Sequence, residues 1–196
     1  MEVVKNMSPL KYKELNDSIA EAFVSNELFR EFGNPEERRS DVLSYMSHYV
    51  DFVYNASCLY WNEQRNAYIG LCYSEDKHFL LKLKMLFGIL RDVPFPKLKR
   101  MLRQIKDNAF PDNPYFKDPY LEVLMVCVAP EVQGQGYSRE LICFAQQMAK
   151  EKNCPLLIDT DMSQYAAMYQ HYGCELYRTA TACNGVTRYN IVWKPN

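Results

Sequence analysis

No charge of one sign dominates this chain, in which 23 Lys and Arg stand against 24 Asp and Glu. Without a global field, neither nucleic acid nor an anionic membrane is expected as a partner. The opening residues, MEVVKNMSPLKYKELND, lack the uninterrupted apolar stretch of a secretory signal. The seven cysteines, Cys58, Cys72, Cys127, Cys143, Cys154, Cys174 and Cys183, form no CxxC pair and are odd in number. Neither a zinc ribbon nor a complete disulfide set is therefore expected, and a reduced, cytoplasmic setting without a bound metal fits best. Cys72 and Cys127 lie inside apolar runs, where a thiol behaves as a small core hydrophobe. The apolar run KHFLLKLKMLFGIL (77–90) is too short to span a bilayer and is broken by Lys82 and Lys84. It predicts a helix buried on most sides.

What is present is an ordinary globular composition, 48% hydrophobic and 24% charged over 196 residues, which predicts one domain over 1–196. Leu15, Ile19, Ala22, Phe23 and Leu28 recur at helical spacing from Pro9 to about Phe32, with Ser8 as N-cap. Gly33-Asn34-Pro35 stops that helix, and a second is predicted from Glu36 to about Tyr54. SCLYWNEQ (57–64) and NAYIGLCYS (66–74) read as a strand pair. After the 77–90 helix, KLKRMLRQIK (97–106) has helical spacing with a solvated basic face, and the proline-rich 110–119 marks a loop between the two halves of the domain.

The second half runs strand, glycine turn, helix: YLEVLMVCVAP (120–130), then a helix from about Gly136 to Lys152. A strand at 155–161, a short helix from Ser163 ended by Gly173, and a hairpin about Cys183-Asn184-Gly185 complete it. The fold class is thus α+β.

Between strand and helix, EVQGQGYSREL (131–141) places Gly134 and Gly136 where backbone amides can approach an anion and point at it. Any tight strand-to-helix turn can use two glycines, so the loop alone does not decide its ligand. A dinucleotide fingerprint needs a third glycine at the position of Arg139, and it normally opens its domain, whereas this turn comes late. A P-loop needs Gly-Lys-Ser/Thr, which does not follow.

The segment VAPEVQGQGYSREL (128–141) resembles the acetyl-CoA signature of the GNAT N-acetyltransferase superfamily, Gln/Arg-x-x-Gly-x-Gly/Ala, with Gln133, Gly136 and Ser138 at its fixed positions. Ser138 stands where Gly or Ala is usual. At the second junction, YQHYGCEL (169–176), Cys174 replaces a common Phe, and Met162 stands where many members have Asn. The resemblance covers about 120–177 and is architectural before that. It implies a central mixed, mostly antiparallel sheet flanked by helices, with two strands splayed in a V at the cofactor site. It places acetyl-CoA against Val126, Cys127 and Val128 of the strand and against Gln133, Gly134, Gln135, Gly136, Tyr137 and Ser138 of the loop.

The same resemblance implies direct acetyl transfer to the amine of a small molecule or peptide, by a monomer or homodimer. A lysine-like amine with a pKa near ~10.4 needs a base at neutral pH. The resemblance gives that role to Glu122; strict alternation would set Glu122 on one face with Leu124 and Val126, a charge in an apolar row. Glu75, His78 and Asp159 are alternatives without a motif. The departing thiolate needs a proton, which the resemblance assigns to Tyr169, with Tyr165 and Tyr172 nearby in sequence. A backbone N–H near Cys127 or Val128 could polarise the thioester carbonyl. An acetyl-cysteine route through Cys127 lacks a neighbouring His. Two rivals follow: a nucleotide-cofactor oxidoreductase, and a non-catalytic acyl-CoA sensor or scaffold of the same fold.

Overall fold

The computed structural model describes residues 1–195. Seven strands form one sheet: β1 (Glu2–Val3), β2 (Leu59–Trp61), β3 (Ala67–Tyr73), β4 (Leu121–Val128), β5 (Leu156–Thr160), β6 (Glu175–Thr181) and β7 (Thr187–Trp193), in the order β1-β2-β3-β4-β5-β7-β6. All neighbours are antiparallel except β4 and β5, which run parallel. The parallel step needs a crossover, and helix α5 (Tyr137–Glu151) supplies it.

One core lies on each face of the sheet. On the first, helices α1 (Pro9–Ala22), α2 (Pro35–Asn55), α3 (Phe79–Asp92) and α4 (Phe95–Asn108) bury Ile19, Val50, Val53 and Ile89 with Leu59, Cys72, Met125 and Cys127. On the second, α5 and α6 (Ser163–His171) bury Leu141, Ile142, Ala145 and Tyr169 with Ile69, Leu71, Val123 and Ile158. Asn34 caps α2 by accepting from the N–H groups of Glu36 and Glu37, while Glu37 returns a carboxylate to the N–H of Asn34.

Two helical expectations change. The opening periodicity does not make one helix to Phe32: α1 ends at Ala22, and Asn26 caps a separate 3-10 segment, Glu27–Phe32, through the N–H of Leu28. Nor is α3 buried on most sides. Only Ile89 of that helix is buried, and Phe79, Leu80 and Phe87 are 68%, 77% and 69% exposed. Two lysines separate apolar residues there without creating a second protein layer to cover them. No helix of the described residues is long and apolar enough to cross a membrane.

Candidate active site

β4 carries an irregularity that composes the site. Its register with β3 shifts between Gly70 and Leu71: Gly70 faces Met125, Leu71 faces Val123, and Leu124 is the extra residue of a bulge. Val123 therefore packs into one core and Met125 into the other, although two residues apart. The expected row of Glu122, Leu124 and Val126 is broken by this bulge. Val126 and Val128 turn to the α5–α6 side, whereas Glu122, opposite Cys72, stays on the α2 side. Tyr49 of α2 donates its hydroxyl to the Leu124 carbonyl at 3.2 Å, satisfying a group the bulge releases from regular pairing.

Immediately beyond, β4 and β5 part. Their parallel pairing covers only Leu121–Leu156, Glu122–Leu157 and Val123–Ile158, while β5 continues to pair with β7 as far as Thr160. The gap is the V-shaped splay, and β4 past Val123 has no strand on that edge.

Two cavities open at the gap, each of about 240 Å³. Val126, Val128, Gln133, Gly134, Gly136, Tyr137 and Ser138 line the first, with Tyr165, Met168 and Tyr169 of α6 opposite. Its loop is built as an anion cradle. Gly134 and Gly136 hold φ of +80° and +88°, and a Cβ at either would meet no protein atom within 4 Å. The left-handed backbone and the clear space in front of it both favour glycine where a ligand comes close. The N–H groups of Gly134, Gly136, Tyr137 and Ser138 find no protein acceptor among the described residues, and they gather at the positive end of the α5 dipole. These residues fit a pyrophosphate such as that of acetyl-CoA.

Supporting contacts fix the loop. Gln133 donates Nε2 to the Val128 carbonyl at 3.2 Å, tying the loop to the free end of β4. Ser138 Oγ and the Tyr172 hydroxyl share a hydrogen bond of 2.9 Å, and Gln146 donates to the Tyr172 carbonyl at 2.9 Å, joining α5 to the end of α6. Of the expected cofactor-binding residues, Gln135 is not among those lining the cavity, and Cys127, expected to act through its backbone N–H, directs its side chain into the α2-side core. Burial pushes the Cys127 thiol up to about 12, so it is protonated at neutral pH and a poor nucleophile.

The second cavity is lined by Glu122, Leu124 and Val126 of β4, Ile158 and Asp159 of β5, and Phe23, Leu28 and Tyr49 from the helical face. Asp161 and Arg188 close it as a two-point ion pair, Nε–Oδ1 2.7 Å and Nη2–Oδ2 2.8 Å. Glu122 reaches solvent at this cavity. Desolvation by the surrounding protein raises its carboxyl pKa, and the Asp159 carboxylate adds to the rise while Lys82 opposes it. Asp159 is raised too, chiefly by burial, but it accepts from Asn190 at 2.8 Å, whereas Glu122 has no hydrogen-bond partner among the described residues. Glu75 and His78 line neither cavity.

Val126, Tyr165 and Tyr169 line both cavities. The Tyr169 ring is buried in the α5–α6 core, and burial raises its phenol well above the ordinary range, which keeps the proton in place at physiological pH. Tyr49, Tyr165 and the Asp161–Arg188 pair carry no sequence motif. They enter the site only through the packing of α2, α6 and β7 around the splay.

Residues 23–174 match the family model of the acetyltransferase (GNAT) family, and the chain belongs to that family. It is an acyltransferase by that membership. Arylalkylamine N-acetyltransferase 2 from Aedes aegypti superposes with a TM-score of 0.59 at 13% identity, covering 98% of each chain. An agmatine N-acetyltransferase superposes with a TM-score of 0.61 at 14% identity, covering 97% of each. At such identities the likeness is one of fold. Comparison with curated protein sequences finds no match.

Proposed function

We propose that this acyltransferase moves an acetyl group from acetyl-CoA directly to the amine of a small molecule or peptide, with Glu122 as proton acceptor and Tyr169 as proton donor. The observation that carries the reading is the shared wall. Whatever lies along the glycine loop and whatever lies beside Glu122 meet the same three residues, Val126, Tyr165 and Tyr169.

Acetyl-CoA supplies an activated acyl group as a thioester. The amides of Gly134, Gly136, Tyr137 and Ser138 hold the phosphates, and the unpaired edge of β4 offers backbone donors along the splay. An aliphatic amine is protonated at neutral pH, and reaching its nucleophilic form costs on the order of 4.6 kcal/mol at a pKa of ~10.4. Glu122 is the carboxylate free to take that proton, because Asp159 is engaged by Asn190 and Asp161 by Arg188. Tyr169 is protonated at neutral pH and lines both cavities, so its phenol O–H stands at the shared wall as the proton donor to a departing thiolate. Three carboxylates against one arginine, with Phe23, Tyr49 and Tyr165 around them, suit an amine that arrives as a cation carrying an apolar body. The arylalkylamine and agmatine enzymes of the same fold are named for amine substrates.

Replacing Glu122 by Gln tests the assignment without changing the size of the side chain. Loss of a general base lowers kcat by roughly 10²–10⁴-fold, while acetyl-CoA affinity is unchanged because Glu122 does not line the first cavity. A Glu122→Gln enzyme that turns over at the wild-type rate removes Glu122 from the reaction.

A further inference from the structure

On the α2 side of the sheet, three side chains that sequence leaves far apart bring their donor atoms together. Cys58 precedes β2, Cys72 lies near the end of β3, and His78 stands just before α3. The two thiol sulfurs and an imidazole nitrogen all lie within 4.8 Å of one another, with Cys58 Sγ and His78 Nε2 at 3.9 Å. Both cysteines are buried and the histidine is half-buried. From this juxtaposition we propose that Cys58, Cys72 and His78 form a binding site for a zinc-class divalent ion.

The geometry is close to what such an ion needs. A tetrahedral zinc with Zn–S ≈ 2.3 Å and Zn–N ≈ 2.0–2.1 Å separates its ligands by about 3.8 Å (S to S) and about 3.6 Å (S to N). The Cys58–His78 distance already lies within a few tenths of an ångström of that value. The backbone around the thiols is held in place: the Leu71 N–H donates to the Cys58 carbonyl at 2.8 Å, and the Cys58 N–H donates to Val53 at 2.9 Å.

Among the described residues the His78 side chain has no polar partner other than Cys58. It stands at the start of α3, yet its side chain makes no capping hydrogen bond. Its ring is instead set edge-on to Phe52, with centroids 6.3 Å apart, and its Nε2 is turned to Cys58. The other contacts of the two thiols are weak ones to main-chain carbonyls, Cys58 to Ala56 at 3.5 Å and Cys72 to Tyr73 at 3.7 Å.

The donor set selects the ion. Two thiolates and a neutral imidazole are soft-to-borderline ligands that exclude magnesium and calcium, which require oxygen. On coordination each thiol gives up its proton to solvent, and the two resulting thiolates neutralise a divalent ion, so the buried group carries no net charge. Three protein ligands leave the fourth tetrahedral position for water. The site stands next to the proposed catalytic carboxylate, since Cys72 is the register partner of Glu122 across β3 and β4. A bound ion would tie the lead into β2, the end of β3 and the start of α3 together behind that carboxylate.

Cobalt(II) titration of the full reduced chain tests this, because cobalt replaces zinc and reports its ligands by absorption. One equivalent gives near-ultraviolet thiolate-to-cobalt charge transfer and the strong visible bands of four-coordination, and zinc then abolishes both. Cys58→Ser and Cys72→Ser lose at least half of the charge-transfer intensity and bind at least tenfold more weakly. The variants Cys143→Ser and Cys183→Ser, altered at exposed thiols, behave as wild type. If the serine variants fail to fold, His78→Gln, altered at a half-buried loop position, must by itself weaken binding at least tenfold. No thiolate band in the wild type, or an unchanged titration in His78→Gln, overturns the proposal.

Discussion

Single residues set the site by what they leave unpaired. Gly136 caps α5 from a left-handed backbone with open space where a side chain would project. Gly136→Ala adds strain of roughly 1–2 kcal/mol and puts a methyl group at the phosphate cradle. It is expected to lower Tm slightly in the free protein and to reduce the Tm increase produced by acetyl-CoA; an undiminished increase contradicts the cradle. Tyr169→Phe keeps the buried ring and removes only the hydroxyl to which the proposed proton donation is assigned. Thiol release slows in single turnovers while acetyl-CoA binding is retained, and wild-type release in this variant excludes the phenol as donor. Which residues could matter was partly legible beforehand, because Gln133 to Ser138 are contiguous and their spacing is specific. Tyr49, Arg188 and the Cys58–Cys72–His78 group were not, since each depends on elements distant in sequence meeting at one place.

At the scale of elements, the helices and strands followed from periodicity, and the errors came where one element meets another. Alternation assumes a regular strand, and a single extra residue at Leu124 turns Val126 away from the Glu122 side. The apolar content of α3 predicts burial, but burial depends on a covering layer that composition does not encode. The packing of α3 on α2 also inverts an ordinary helix rule. Gly88→Ala in an open helix would stabilise by about 1 kcal/mol, yet a Cβ there would meet His48 Nδ1 at 2.5 Å, on a ring that Asp92 fixes through Nε2 at 2.7 Å. Forced repacking costs typically ~1–3 kcal/mol, so Tm should fall. A rise in Tm on thermal denaturation contradicts close α2–α3 packing.

For the whole molecule, acid stability and turnover are the two outward readings of this arrangement. Arg91 first, and then His48, hold the Asp92 carboxyl well below the usual carboxylate range. A depressed folded-state pKa gives stability that is fully present above the unfolded value of ~3.9 and is lost as pH falls through the folded one. Asp92→Asn is therefore expected to lose Tm near neutrality and to show a shallower further loss below about pH 4, measured by thermal melts across pH. Parallel wild-type and variant curves would remove this contribution. Family membership and the two-cavity splay are the basis of the proposal that a thioester is taken from one side and an amine from the other.

The most direct measurement of that account is thiol release from acetyl-CoA by the purified chain across a panel of arylalkylamines, polyamines, amino acids, aminoglycosides and peptide N-termini. Amine-dependent release of CoA with matching acetylated product is expected for at least one cationic amine, with near-loss in Glu122→Gln. Binding of acetyl-CoA with no release above background for any amine in the panel would contradict it.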